Sequence, residues 1–336
     1  MPYFVFDLDE TLGNFHTPFY FLYDYQRTNT RSPNEQTKRI TITPPPELIP
    51  YIHTAYTTFV QLVAQQEQSH NPLGIIRPGM IQVFQQLAAM KEAGLCEGVV
   101  IYSNNGALSN LHFARDVLHA AIGINDLICD CIHWHHPVRH EEYTTPYQEG
   151  AADKTWKVFQ TILTKGACQA SADRVTPSNC YFFDDQEHPD LETVLGDHYI
   201  HMNEYPYIAS FSRVANLYLE SLRVAGLTKD SRLLHDYIHF CAQVYPNTRA
   251  YNPKRTLGRH IQLLRQMTGP TSLIHAPSPD ESVHTILDLL PTITVEPPPS
   301  SQTGGGRTVK QRTTRKKSKQ GRRRQGTSQG TSQGTK

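Results

Sequence analysis

The sequence predicts an α/β protein built on a doubly wound, Rossmannoid parallel sheet. Three short apolar runs carry this prediction: residues 1–8 (MPYFVFDL), 98–102 and 180–183. None of them alternates apolar with polar residues, so each is expected to be a strand that is buried on both faces. Segments with helical spacing lie between them, and strands that alternate with helices are typical of this architecture.

The remaining elements follow from the same patterns. Two shorter strands are predicted at residues 126–134 and 198–202, and helices are predicted where apolar residues recur every three to four positions. The predicted helices cover residues 47–68, 80–93, 107–121, 154–164, 211–225, 231–244 and 257–267. Residues 1–205 are interpreted as the core, with an insertion after the first strand at about residues 13–71, and residues 206–292 as a C-terminal helical extension.

The end of the chain has a different composition. Residues 307–336 contain eleven of the 32 Lys and Arg residues and none of the 31 Asp and Glu residues, so the rest of the chain carries a formal charge of −10. Proline, glycine and Gly-Thr-Ser-Gln repeats offer no apolar face, so residues 293–336 are predicted to be a disordered basic tail. Such a tail is expected to be a nuclear localisation signal, a nucleic-acid-binding arm, a tether to an acidic partner or a solubilising segment.

The six cysteines and the first residues indicate a compartment. The chain opens with MPYFVFDLDE, which has neither the basic nor the apolar region of a signal peptide, and no run of 18 apolar residues occurs. We therefore expect an intracellular protein of the nucleus or cytoplasm, without a membrane partner. Because thiols are kept reduced there, no disulfide is expected.

Two carboxylates follow the first strand directly. Asp7 and Asp9 stand at its C-terminal end, where open α/β sheets place their ligands. At this spacing both carboxylates can point into one crevice, one to attack and one to transfer protons, and their oxygens suit a hard cation.

Four motifs in order resemble those of the haloacid-dehalogenase (HAD) superfamily of phosphatases, and most closely the FCP/SCP (NLI-interacting factor-like) group. The first is Asp-Leu-Asp-Glu-Thr-Leu at residues 7–12. The second combines Arg77-Pro78-Gly79 with a strand that ends at Ser103-Asn104. The third is Asp153-Lys154, and the fourth is the acidic pair Asp184-Asp185 at a strand end.

The resemblance implies an HAD-like fold and a Mg²⁺-dependent phosphomonoester hydrolase with an aspartyl-phosphate intermediate. Asp7 is then the nucleophile and Asp9 the general acid and base. Phosphate is bound by Ser103, Asn104 and Lys154, and the metal site consists of Asp7, Asp9, Asp184 and Asp185, with either Asp184 or Asp185 as the direct ligand of the acidic pair. Lys157 competes with Lys154 for its role, and Asn105 competes with Ser103. The FCP/SCP group usually has Asp-Asn-Ser-Pro at the fourth motif, so the sequence Asp184-Asp185-Gln186-Glu187 is a departure.

Several functions stay open at this point. The substrate is expected to be a phosphorylated protein, as in the FCP/SCP group, or a nucleotide or polynucleotide. The alternative from another class is a non-catalytic, nucleic-acid-associated scaffold with an HAD fold. A further cluster from Cys129 to His140 contains Cys129, Cys131, His133, His135, His136 and His140. Zinc is one interpretation of this cluster, but its alternating spacing favours a strand or a flap over the active site.

Overall fold

The computed structural model describes residues 1–26, 44–140, 154–166, 168, 170–171, 174–244, 257–268 and 280–293. The described residues, which end at residue 293, all belong to one compact unit. The predicted disordered basic tail lies outside the described residues, apart from residue 293. Part of the predicted insertion, residues 27–43, also lies outside them.

A five-stranded parallel sheet forms the centre of the unit. Its strands are β1 (Tyr3–Phe6), β2 (Gly98–Tyr102), β3 (Ile128–Ile132), β4 (Cys180–Asp184) and β5 (Tyr199–His201). All four neighbouring pairs are parallel, and the order is β3-β2-β1-β4-β5. The predicted α/β class with a parallel sheet is therefore confirmed, and the apolar first strand is central as expected.

Helices surround this sheet. In the described residues they are α1 (His16–Gln26), α2 (Ile49–Glu67), α3 (Met80–Glu92), α4 (Leu108–Ile122), α5 (Pro137–His140), α6 (Trp156–Lys165), α7 (Pro189–Leu195), α8 (Phe211–Val224), α9 (Ser231–Val244), α10 (Leu257–Thr268) and α11 (Glu281–Leu289). No described helix is both long enough and apolar enough to cross a membrane.

The sheet separates two apolar cores. Phe4 and Phe6 of β1 face one core, which includes α1 to α4 and the helices after residue 210. Tyr3 and Val5 face the other, which includes Val158 and Phe159 of α6. This alternation is what a strand buried on both faces requires, because successive side chains point to opposite sides.

Helix α1 is an element that the sequence patterns did not predict, since residues 13–71 were interpreted as a polar insertion with a single helix. Its Phe21 contacts the rings of Phe59, Phe211 and Tyr218, with centroids 5.0 to 6.4 Å apart. Aromatic residues have only modest helix propensity, so the burial of these rings outweighs the local preference. The same contacts join the insertion to α8 of the helical extension.

A buried arginine attaches the last described helix to the loop after β1. The guanidinium of Arg77 is fully buried and lies 3.0 Å from the carboxylate of Asp280, which caps α11. It also donates to the Thr11 carbonyl oxygen at 3.2 Å and lies over the Tyr205 ring. A buried charge requires such partners, so Arg77 fixes three parts of the chain together.

A disulfide joins Cys129 of β3 to Cys168, three residues after the end of α6, with their Cα atoms 5.4 Å apart. The expectation that no disulfide forms was therefore wrong. That expectation depended on the predicted compartment, whereas the pairing depends on α6 packing back beside β3, which residue spacing does not reveal.

Thiol alkylation tests this pairing. Denatured protein treated with iodoacetamide without a reductant is expected to be modified at four cysteines, because Cys96, Cys131, Cys180 and Cys241 are in the thiol form. Prior reduction should raise the number to six, and mass spectrometry of the peptides locates them. Modification of Cys129 and Cys168 in the unreduced sample would contradict the pairing.

Candidate active site

The site lies at the C-terminal edge of the sheet, where three neighbouring strands bring one row of side chains together. Val5 of β1 pairs with Val100 of β2 and Phe182 of β4. Continuing this register by one pleat places Asp7 between Tyr102 and Asp184. The backbone N–H of Asp7 still donates to the Phe183 carbonyl oxygen at 2.9 Å, so the pairing extends past the end of β1.

The ammonium group of Lys154 occupies the middle of this row. Its Nζ lies 2.5 Å from Asp7 Oδ1 and 2.6 Å from Asp184 Oδ2, and the side chain is only 2 % exposed. It also lies over the rings of Tyr102 and Phe182, 5.3 Å from each centroid. Lys157, the alternative from the sequence, is exposed on α6.

Burial and charge act against each other in this group. Burial acts to lower the pKa of Lys154, but Asp7 and Asp184 outweigh it and raise the pKa above its ordinary value. Burial also raises the pKa of Asp7 well above its ordinary value, although Lys154 acts in the opposite direction. For Asp184 the effect of burial is exceeded by the attraction of Lys154 and by hydrogen bonds, so its pKa is lowered. Lys154 is therefore a cation that Asp7 and Asp184 keep protonated in a buried position.

The acidic pair at the end of β4 is divided between the two faces of the sheet. Asp184 continues the face of Phe182 and contacts Lys154, whereas Asp185 continues the opposite face and accepts from the Thr11 hydroxyl at 2.8 Å. Burial raises the pKa of Asp185, and the hydrogen bond from Thr11 partly offsets this. The two neighbouring carboxylates thus have different partners.

Three carboxylates meet closely enough to share one ion. One oxygen each from Asp7, Asp184 and Asp185 lie within 4.8 Å of one another. Asp9, which the motifs also predicted for the metal site, is not part of this group, and its Oδ2 accepts from the Asn105 amide at 3.1 Å. Burial raises the pKa of Asp9, and this hydrogen bond acts against the increase.

The loop that carries Asp9 turns sharply back on itself. Glu10 has a φ of 63°, which residues other than glycine rarely adopt, and its N–H donates to the Gly13 carbonyl oxygen at 2.8 Å. A Cβ atom at Gly13 would lie 2.0 Å from the Ile75 carbonyl oxygen, so this close approach requires glycine. The turn directs residues 7 to 9 into the site.

The turn after β2 holds the predicted phosphate-binding residues. Ser103 is 2 % exposed, and its Oγ accepts from the Asn105 N–H at 3.0 Å, which leaves the hydroxyl proton as a donor. Arg139 supports this turn from α5, because it donates to the Ser103 carbonyl oxygen at 3.2 Å and to Asn104 Oδ1 at 2.9 Å. Asn104 is thus held by its oxygen.

Arg139 is a site residue that the sequence reasoning missed. It is 2 % exposed, and its guanidinium lies 5.1 Å from the Tyr102 centroid and 4.8 Å from that of Trp134. Tyr102 is therefore flanked by Arg139 and Lys154. The motif pattern contained no signal for Arg139, because it lies outside all four motifs. Two further residues, Thr11 and His188, were also missed, although Thr11 lies within the first motif.

The cluster from Cys129 to His140 lies beside this turn. The Trp134 N–H donates to the Asn105 carbonyl oxygen at 3.0 Å. The ring centroid of His133 lies 6.2 Å from that of His135 and 6.0 Å from that of His136. Burial and the neighbouring histidines lower the pKa of His133 to about 4. Cys129 is bonded to Cys168, and within the described part of the chain no three of these side chains form a group close enough to hold a metal ion.

No protein-family model, no curated protein and no solved structure matches the chain. The functional interpretation therefore depends on two things, the order of the motifs and the geometry of the residues that they contribute. In that geometry Asp7, Lys154, Asp184 and Asp185 come together, Asp9 is joined to the turn after β2 through Asn105, and Arg139 supports Ser103 and Asn104.

Replacing Arg139 tests its structural role. Arg139→Met removes a buried donor from two acceptors, so we expect the free energy of unfolding to fall by roughly 2–4 kcal/mol. Urea unfolding measures the change. Arg232→Met is the matched control, since the Arg232 side chain is 87 % exposed. Equal stability of the two variants would contradict the role of Arg139.

Proposed function

We propose that the chain is a Mg²⁺-dependent phosphomonoester hydrolase of the HAD type, in which Asp7 carries the phosphoryl group. The observation that carries the proposal is the placement of the Lys154 ammonium between Asp7 and Asp184, next to a third carboxylate at the C-terminal edge of a parallel sheet. The substrate is a phosphomonoester on a protein, as in the FCP/SCP group, or on a nucleotide or nucleic acid.

The charge of the site supports a requirement for a divalent cation. The site contains four carboxylates, those of Asp7, Asp9, Asp184 and Asp185. Lys154 contacts Asp7 and Asp184 directly, whereas Asp185 and Asp9 accept from the neutral groups of Thr11 and Asn105. A phosphate dianion that approaches this group is repelled unless further positive charge is present. Carboxylate oxygens are the ligands that Mg²⁺ prefers, so the donor set fits this ion.

The partners of each carboxylate indicate which ones would hold the ion. Asp184 already accepts from Lys154 and from the Gln186 N–H at 2.9 Å, and it is 1 % exposed. Asp185 is partly exposed and accepts from a neutral hydroxyl. Asp7 and Asp185 are therefore the proposed side-chain ligands, and Asp184 holds Lys154. When bound, the cation supplies charge neutralisation for the phosphoryl group.

The residues of the chain then perform two successive displacements. A carboxylate oxygen of Asp7 attacks phosphorus, the bond from phosphorus to the ester oxygen breaks, and Asp9 donates its proton to that leaving oxygen. Asp9 next takes a proton from water, which attacks the aspartyl-phosphate and releases Asp7 and inorganic phosphate. Asn105 keeps Asp9 in place during both steps.

Ser103, Asn104 and Lys154 hold the non-bridging oxygens of the phosphoryl group that is transferred. The hydroxyl of Ser103 and the amide of Asn104 belong to a turn fixed by Arg139, and Lys154 is fixed by Asp184. Donors that are fixed before the reaction stabilise developing charge without reorganising, which is the main source of electrostatic catalysis.

Replacing the nucleophile tests the proposal directly. Asp7→Asn is expected to lower hydrolysis of p-nitrophenyl phosphate in the presence of Mg²⁺ by at least about 1000-fold, because an amide cannot form the phosphoenzyme. Asp197→Asn is the control, since Asp197 is exposed and precedes β5 at the opposite end of the sheet. Activity of the Asp7→Asn protein at the wild-type rate would sink the catalytic proposal.

The division of roles between the acidic pair gives a separate test. Asp185→Ala should raise the Mg²⁺ concentration for half-maximal activity by at least about tenfold, because a ligand is lost. Asp184→Ala should instead lower kcat with a smaller change in that concentration, because Lys154 loses its anchor. Glu187→Gln is an exposed control nearby. A large Mg²⁺ shift in Asp184→Ala alone would reverse the two assignments.

A further inference from the structure

His188 is a buried imidazole that contacts the catalytic row from a position outside the four motifs. It is 4 % exposed, and its Nδ1 accepts from the backbone N–H of Lys154 at 3.4 Å. Its Nε2 lies 3.2 Å from Asp184 Oδ2. One ring therefore reaches both the residue that provides the ammonium group and the carboxylate that holds it.

The contact with Lys154 fixes which nitrogen of the ring carries the proton. A nitrogen that accepts from a backbone N–H is unprotonated, so the neutral imidazole of His188 has its hydrogen on Nε2. The Nε2 hydrogen is therefore on the side of the ring that faces Asp184. In the described residues, however, Nε2 is buried without a well-aligned hydrogen bond. A buried donor in this state calls for an explanation.

The position of His188 in the fold makes packing alone a poor explanation. His188 is the N-cap residue of α7, where Ser, Thr, Asp or Asn would satisfy the first N–H groups of the helix, and its side chain makes no capping bond. The side chain turns instead toward Lys154 and Asp184. A local preference that is broken beside a charged group is typical of functional positions.

The oxygen nearest to Nε2 is the one that Lys154 uses. Asp184 Oδ2 accepts from Lys154 Nζ at 2.6 Å while it lies 3.2 Å from His188 Nε2. In the proposed reaction the Lys154 ammonium faces the phosphoryl oxygens while Asp184 continues to hold it. The position of the ammonium group therefore depends on the position of this carboxylate, which has His188 Nε2 as its other close neighbour.

We propose that His188 is a positioning residue that acts through Asp184. The Nε2–H of His188 faces Asp184 Oδ2 and keeps that carboxylate in place, and the carboxylate in turn holds the Lys154 ammonium in position for the phosphoryl group. The backbone contact at Nδ1 keeps the ring in the tautomer that this requires. This inference rests on the proposed phosphatase function and adds a residue to the same site.

Two substitutions separate the two contacts of the ring. His188→Asn places an amide oxygen near the position of Nδ1 and has no donor near Nε2, so kcat/KM is expected to fall roughly 10- to 100-fold. His188→Gln places an amide N–H near Nε2, so it should recover most of that loss. His53→Asn, at an exposed position on α2, is the control. Equal losses in the Asn and Gln variants would overturn the proposal.

A double-mutant cycle distinguishes positioning from a general structural role. Binding of inorganic phosphate in the presence of Mg²⁺ is measured by calorimetry for the wild type, His188→Asn, Lys154→Met and the double variant. If His188 acts through Asp184 on Lys154, His188→Asn weakens binding in the wild type but adds nothing after Lys154→Met. Losses that add in the double variant would overturn the role of His188.

The tautomer supplies a readout that does not depend on activity. The ¹⁵N chemical shifts of His188 should show a protonated Nε2 and an unprotonated Nδ1, and a proton on Nδ1 would overturn the inference.

A wild-type protein that neither hydrolyses p-nitrophenyl phosphate nor binds phosphate would refute the proposed function, and the role of His188 with it. An active wild type with an additive cycle would refute the role of His188 alone.

Discussion

The ion pairs of one buried ammonium group determine how the site is built. Lys154 is 2 % exposed, and a cation with so little contact with water is stable only if opposite charges replace its hydration. Asp7 and Asp184 provide them from the ends of β1 and β4, which are neighbours in the sheet. The same requirement fixes the entry to α6, because Lys154 lies two residues before that helix. The ends of β1 and β4 and the entry to α6 therefore meet at a single charge.

This arrangement also limits what the site can accept. Two carboxylates hold Lys154, and two more, Asp9 and Asp185, are held by the neutral donors Asn105 and Thr11. The site therefore carries more negative than positive charge, although Ser103, Asn104 and Lys154 are suited to bind an anion. A bound cation offsets the carboxylates, and a phosphoryl group then occupies the residues that suit an anion. A phosphoryl group without the cation would be repelled by the carboxylates. The proposed reaction agrees with both halves of the site.

Sequence reasoning reached the residues that lie directly at strand ends. Asp7, Ser103 and Asp184 follow apolar runs, and the position of a strand end in a parallel sheet is enough to bring such residues together. It did not reach Arg139 and His188, because their contacts depend on how the segments after β3 and β4 fold back over the sheet edge. The Cys129–Cys168 disulfide and helix α1 were missed for the same reason. Each is determined by packing between distant segments, which periodicity does not encode.

The deviations from local preference have a common location. Glu10 adopts a φ of 63°, His188 stands at an N-cap without capping, and Asp184 and Asp185 are neighbours of like charge. All of them lie at the C-terminal edge of β1 and β4, while the strands below them follow the expected alternation between two apolar cores. Each deviation costs stability, so the rest of the fold must over-determine these positions. The aromatic core on one face of the sheet and the core that contains α6 on the other face provide that support. They stabilise the regular strands that hold the charged residues at the C-terminal edge in place.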